Sequence, residues 1–206
     1  MKQKTFIVDW DDYEQVSKLG NTIKSRLGEI NPNRISKHQK DRNILDACCQ
    51  IMTTDLTSLY DSLELDDSPI YYVYAHTDPS KKIAVGISGI TTYAATLGMQ
   101  FIPFYIGKGT GDRCYDTNRN ETHRKIKQKL ASFNKQIEIV KLFTGLTERQ
   151  ALSIESKLID IFGLIPCGGL LTNLDEGFLA TERRFLYKEQ FLTLSKLNKQ
   201  LSKLMG

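Results

Sequence analysis

The residues of this chain best suited to chemistry gather around Phe104-Tyr105-Ile106-Gly107-Lys108-Gly109-Thr110-Gly111-Asp112-Arg113. A short aromatic and apolar run ending in three alternating glycines predicts a strand that leaves its sheet into a tight loop, with backbone open to close approach. Lys108 and Arg113 bring two cations to that loop. A guanidinium can grip a phosphate with a planar fork that an ammonium does not reproduce, so the implied ligand is anionic. Two nucleotide-binding patterns are excluded. A P-loop around Gly107-Lys108 needs Gly at 102 and Ser or Thr at 109, where the chain has Ile102 and Gly109. A dinucleotide fingerprint starting at Gly107 or Gly109 needs a glycine where Asp112 or Cys114 stands.

A second chemical signal lies further on. Glu155 follows Ala151 and Leu152 and precedes Leu158 and Ile159 at helical steps, so it faces inward among apolar neighbours. A carboxylate there is costly unless it is paired or binds a metal. The two readings are an internal ion pair, for example with Arg113, and ligation of a cation; ligation is the reading carried forward.

The elements that must position these groups follow from periodicity. Thr5-Phe6-Ile7-Val8 predicts a short strand or arm, and Val16, Leu19, Ile23 and Leu27 predict a helix capped at Asp11 or Asp12 that ends near Gly28. A second helix is expected from about Asp41 to Leu63, reached through the basic connector Asn33–Lys40, in which His38 receives no role. Leu65–Pro69 is a hinge, and Ile70–Ala75 is a β-rich run. Residues 76–103 form an insertion: Lys81–Ser88 extends a hairpin, and Gly89–Gly98 is either a loop or a short helix. Glu121–Phe133 is a basic helix with Ile126, Leu130 and Phe133 on its apolar side. Ile137–Phe143 alternates as a strand, and Thr147 with Gln150 has capping-box spacing at the start of the helix that carries Glu155. The tail from Thr181 to Leu204 is amphipathic and basic; it either packs on the N-terminal helices or serves as a DNA clamp or dimer helix.

The chain divides on this reading into a helical region over 1–68, a central domain over 69–178 and a basic C-terminal helix over 179–206. The fold class is α+β: a small three-stranded mixed or antiparallel sheet flanked by helices, with helical extensions at both ends. Hydrophobic residues make up 40% and charged residues 25% of the chain, a globular composition. No apolar run is long enough for a bilayer, and Asp9-Trp10-Asp11-Asp12 stands where a signal peptide needs an apolar core. A cytoplasmic protein with no membrane partner is expected. Cys48, Cys49, Cys114 and Cys167 lack metal or redox spacing and are expected as unbridged thiols. The net charge is +4, but residues 1–68 are acid-rich, whereas 69–178 carry 13 Lys/Arg against 10 Asp/Glu and 179–206 carry 6 against 2. A polyanion would meet the middle and the tail. Arg119, Arg124, Lys125, Lys127 and Lys129 are the candidate backbone-phosphate contacts.

Tyr72-Val73-Tyr74, Tyr105-Ile106-Gly107, Arg113 six residues on, Glu155 in a later helix and Asn173 in Leu171-Thr172-Asn173-Leu174 together resemble a GIY-YIG nuclease over residues 70 to 178. Tyr72 stands where the family has glycine and Val73 where it has isoleucine. The resemblance implies a metal-dependent DNA endonuclease, with RNA left open as a substrate. Tyr74 and Tyr105 would orient or deprotonate the attacking water, helped by Lys108 beside a phenol. Arg113 would clamp the scissile phosphate, His123 would assist, Asn173 would support the network, and Glu155 would hold Mg²⁺ or Mn²⁺. Size suggests a stand-alone nuclease of a phage or mobile element. Cutting both strands in one encounter needs two sites, and hence a homodimer through the helical flanks. The alternatives are a non-catalytic nucleic-acid-binding protein of the same fold and a nucleotide-binding module using the glycine loop.

Overall fold

The computed structural model describes residues 35–83 and 89–205, with side chains described for 42–83 and 89–196. The expected Thr5–Val8 arm, the helix ending near Gly28, residues 33–34 of the connector, the side chain of His38 and residues 84–88 of the hairpin extension lie outside the described residues.

Three strands form one antiparallel sheet in the order β2-β1-β3: β1 is Tyr71–Lys82, β2 is Phe101–Gly109 and β3 is Glu138–Leu146. Among the described residues six α-helices stand around it, α1 Ile35–Thr53, α2 Gly89–Thr96, α3 Glu121–Ser132, α4 Glu148–Phe162, α5 Ala180–Leu186 and α6 Lys188–Met205. The α+β class is as expected, and the sheet is purely antiparallel.

One face of the sheet builds the main core. Val73, Ala75, Ile106 and Phe143 pack with Ala151, Ile154, Leu158 and Phe162 of α4, and the same core takes in Ile44, Leu45, Cys48 and Ile51 of α1 and Leu194 of α6. Helix α4 begins where the sequence placed it: the Thr147 hydroxyl accepts from the Gln150 N–H, and the Gln150 side chain returns the bond to the Thr147 N–H. Both faces of β1 are covered, so its residues 72 to 78 are buried without the alternation of a one-sided strand.

Several expected boundaries move for local reasons. Helix α1 starts at Ile35, within the stretch expected as a connector, and stops at Thr53 rather than near Leu63. The Thr53 and Thr54 hydroxyls bond back to the Cys49 and Gln50 carbonyls, and Asp55 Oδ1 accepts from the Thr57 N–H to open a separate turn over Thr57–Tyr60. Gly89–Thr96 is helical, the second of its two expected forms. Strand β2 runs on through Gly107 and Gly109, so the loop begins only at Thr110. Phe133 falls just beyond α3 and is exposed. Cys48 and Cys114 are buried, Cys167 is exposed, and no disulfide joins the four cysteines.

The tail is an internal element. Helix α6 packs on α1, and Arg183 of α5 is fully buried, donating from Nε to Asp160 Oδ2 at 3.0 Å and from Nη2 to the Glu176 carbonyl at 2.6 Å. Arg184 pairs with Glu176 at 2.6 Å. These two cations, expected on a basic outer face, instead tie the segment after Asn173 to α4.

Candidate active site

The second face of the sheet, turned away from α4, is aromatic and polar. Residues 72, 74 and 76 of β1 share it by strand alternation, and Tyr72 and Tyr74 form a separate buried cluster with Cys114, against which Tyr105 and Ile139 pack. Tyr74 pairs in register with Gly107, and Tyr72 with Gly109. A methyl group on Gly107 would lie 2.8 Å from both Cζ and the hydroxyl of Tyr74 and 2.9 Å from Cε1 of Tyr105. The glycine is therefore the floor over which two tyrosine rings converge, their centroids 6.2 Å apart.

Tyr72 holds the loop that follows β2. Its hydroxyl donates to the Gly111 carbonyl at 2.8 Å and accepts from the Cys114 N–H at 3.0 Å. The Cys114 carbonyl accepts from His76 Nε2 at 2.8 Å. Two strand side chains thus fix the short turn Arg113–Tyr115 from beneath.

That turn decides which arginine enters the site. Arg113 points outward, its side chain 57% exposed and paired with Asp116 at 3.2 Å. Arg119 points inward, only 7% exposed. Its Nη2 donates to the Tyr74 hydroxyl at 2.6 Å and to the Arg113 carbonyl at 2.9 Å. Its guanidinium lies 5.4 Å from the Tyr105 ring centroid, and its Nε is buried without a partner. The clamp expected of Arg113 is better placed on Arg119, which sequence reasoning assigned to the outer phosphate surface. A signal existed: Arg119 immediately precedes Asn120, the N-cap of α3, and His123 occupies the first turn of that helix, so the two side chains enter the site together.

His123 is fully buried. Its Nε2 lies 2.8 Å from Nδ1 of His76, its ring meets that of Tyr105 edge-on at 5.6 Å, and its Nδ1 has no partner. Burial, with the positive charge of Arg119 nearby, holds both imidazoles below their usual range, His123 at about 4. Both are neutral at pH 7. His76 was not singled out in the sequence, although its place two residues after Tyr74 in a strand puts it on the same face.

Lys108 departs from expectation. On β2 it falls on the face opposite Tyr105, and its ammonium pairs with Glu148 at 2.5 Å, 5.3 Å from the Tyr71 ring centroid. The Lys108 ammonium is therefore not beside the Tyr105 phenol; the ammonium that does lie on this face, Lys141, sits 4.2 Å from the Tyr72 ring centroid. Burial raises the pKa of both Tyr74 and Tyr105, with Arg119 opposing, so both remain protonated at neutral pH.

Glu155 and Asn173 meet at the outer edge of β2. Such an edge exposes unpaired backbone groups that need cover. Thr172 donates to the Phe104 carbonyl through N–H at 2.7 Å and through its hydroxyl at 2.9 Å. Asn173 accepts from the Ile106 N–H at 3.2 Å and donates to the Ile106 carbonyl at 2.8 Å, as a neighbouring strand would. Glu155 Oε1 accepts from the Lys108 N–H at 2.8 Å. The ion pair with Arg113 considered for Glu155 is not formed. Burial raises this half-buried carboxyl to about 7, against the opposing Lys108 N–H bond.

Arg124, Lys125, Lys127 and Lys129 are exposed on α3. Lys125 pairs with Glu121 at 2.9 Å and Lys127 donates to the Thr117 hydroxyl at 2.7 Å. His123 faces inward on the same helix, so this basic face borders the site without entering it. Among the described residues no cluster of three or more His, Cys, Asp or Glu side chains could hold a metal ion, and no helix is long and apolar enough to cross a membrane. Comparison with family models, curated proteins and solved structures finds nothing that matches this chain.

Proposed function

We propose that this chain is a metal-dependent DNA endonuclease of GIY-YIG type that hydrolyses phosphodiester bonds. The observation that carries the reading is the convergence of Tyr74, Tyr105, Arg119 and His123 over Gly107, with Glu155 on the edge of the strand that bears that glycine. Hydrolysis needs a positioned water, relief of the charge on the phosphorane-like transition state, and stabilisation of the leaving oxygen.

The chain's own groups can meet the first two needs. The Tyr74 hydroxyl accepts from Arg119, which leaves its proton to donate and its second lone pair to orient a water. Nδ1 of His123, buried without a partner, is the proton acceptor on this reading. Arg119 keeps its Nε–H for a phosphate oxygen and brings a full positive charge into a site shielded from water. Water oxygen attacks phosphorus and forms the new P–O bond, its proton passes to an acceptor, and the P–O bond to the departing ester oxygen breaks, that oxygen keeping the electron pair.

For a divalent cation the donor set is one hard carboxylate, Glu155, with Oε1 engaged by the Lys108 N–H. Mg²⁺ and Mn²⁺ suit such a site, since Mg²⁺ keeps several waters and binds through one or two carboxylates. When bound, the cation supplies Lewis-acid stabilisation of the phosphoryl charge and of the leaving oxygen.

A second reading, a nucleic-acid-binding protein of this fold without cleavage, draws on the edge of β2. Glu155 and Asn173 each have a structural task there, so both would be needed without chemistry. Supercoiled-plasmid cleavage with Mg²⁺ or Mn²⁺ separates the two. Nicking or linearisation that is lost in Glu155→Ala and with chelator supports the nuclease. Salt-sensitive DNA binding with no cleavage supports the binding protein.

A further inference from the structure

The His76–His123 pair carries more information than two buried rings. Each ring nitrogen of a neutral imidazole is either a donor or an acceptor, and the other nitrogen takes the opposite role. The Cys114 carbonyl can only accept, so the Nε2 of His76, 2.8 Å away, carries a proton. Neutral His76 then presents a bare Nδ1. Nε2 of His123, 2.8 Å from that atom, must donate. Nδ1 of His123 is left without a proton and without a protein partner, in a side chain with no exposed surface.

The opposite assignment would need a doubly protonated His76. Its surroundings oppose that charge: the ring is fully buried, rings of Tyr74, Phe104 and Tyr105 lie 5.2 to 6.3 Å from it, and Arg119 is nearby; the Cys114 carbonyl and Asp116 favour the cation, but burial outweighs them. A buried unpaired acceptor is costly. Its place beside the Tyr105 ring and near Arg119 suits it to a proton brought by a ligand.

We propose that His76 is a positioning residue: accepting from His123 Nε2–H while donating to the Cys114 carbonyl, it fixes His123 in the tautomer whose Nδ1 receives a proton during the reaction. The tautomer rests on the hydrogen-bond geometry and on the burial that keeps His76 neutral, and its effect on rate rests on the nuclease reading. The relay links that proton acceptor to the turn that exposes Arg113, because Cys114 is the turn's central residue.

Long-range ¹H–¹⁵N correlation on the full-length ¹⁵N-labelled chain at pH 7 reads the tautomer directly. The expected spectrum shows a protonated Nε2 and an unprotonated Nδ1 on His123; a protonated Nδ1 would overturn the proposal. His76→Gln, whose amide NH₂ can donate to the Cys114 carbonyl while its oxygen accepts from His123, is expected to retain the tautomer. His76→Leu is expected to lose it and to lower kcat on the order of 10–100-fold at unchanged KM. A His76→Leu protein that folds with the His123 tautomer unchanged, or keeps kcat after losing it, sinks the assignment. If no variant or wild type cleaves DNA while the wild-type spectrum is as expected, the nuclease reading fails and the tautomer lock stands.

Discussion

Arg119 Nη2 donates to the Tyr74 hydroxyl at 2.6 Å, while Arg113, six residues nearer the glycine strand, turns outward to Asp116. The arginine turned towards Tyr74 is the one just before the N-cap of α3. If the chain cleaves DNA as proposed, Arg119→Ala is expected to reduce kcat/KM on the order of 10²-fold or more. Arg119→Lys should recover little, since an ammonium cannot bridge Tyr74 and the Arg113 carbonyl and still meet a phosphate. Arg113→Ala is expected to weaken DNA binding modestly and in a salt-dependent way, with kcat nearly intact. Single-turnover cleavage alongside binding by fluorescence anisotropy separates the two; equal losses in both variants would contradict the placement.

The histidine pair also predicts how stability responds to acid. Both imidazoles are held neutral in the folded protein below their usual range, His123 at about 4, whereas in the unfolded chain each titrates near ~6.5. Between those values the unfolded state binds more protons, so folding stability is fully present above pH ~6.5 and falls as pH drops towards about 4. The urea midpoint should therefore decline between pH 7 and pH 5. A double variant, His76→Gln with His123→Gln, should decline less across the same window. Matching curves for the two proteins would show that other groups carry the acid response.

Much of this architecture was legible in local sequence. The Thr147 capping box, the basic helix after Asn120 and the β-runs before Ala75 and after Phe104 are signals a few residues long, and they appear where expected. The continuation of β2 was misread because three glycines imply a loop. In fact Gly107 and Gly109 make room for Tyr74 and for Tyr72 with Arg113. With the strand continued, alternation alone puts Lys108 on the face of Ile106 and away from Tyr105. The choice between Arg113 and Arg119 was not local. It depends on the path of residues 110–120, which Tyr72 and His76 set from roughly forty residues away. The inner role of Arg183 is likewise a tertiary matter, since an amphipathic pattern does not say which cations are buried.

Arg183 and Asp160 form a fully buried ion pair that joins α5 to α4. Removing one partner of such a pair leaves an uncompensated charge, a loss of about 3–5 kcal/mol. Asp160→Ala is expected to lower stability by that amount. Because Arg183 also holds the Glu176 and Phe178 carbonyls, the segment after Asn173 should loosen with it. Hydrogen exchange should then accelerate at Ile106, whose N–H bonds to Asn173, before it accelerates in β1. A cost below about 1 kcal/mol in chemical denaturation would mean that the network is not needed to hold the tail.

Tyr72 tests how firmly the loop after β2 is held from the neighbouring strand. Its hydroxyl is the acceptor for the Cys114 N–H, a group in a fully buried residue, and its ring is covered by Lys141 at 4.2 Å from the centroid. Burial holds the phenol up at about 12, so it remains a donor to Gly111 through the neutral range. Tyr72→Phe keeps the ring and removes only the hydroxyl, leaving the Cys114 N–H unsatisfied at a cost of about 1–3 kcal/mol. Tyr72→Gly would also remove the ring over which Lys141 lies, and is expected to cost more. If the loop Thr110–Tyr115 matters to the reaction chiefly by setting where Arg119 and His76 bond, Tyr72→Phe should lower kcat at saturating DNA as well as stability. A stability loss with unchanged kcat would instead show that the Cys114–His76 contact holds the turn without Tyr72.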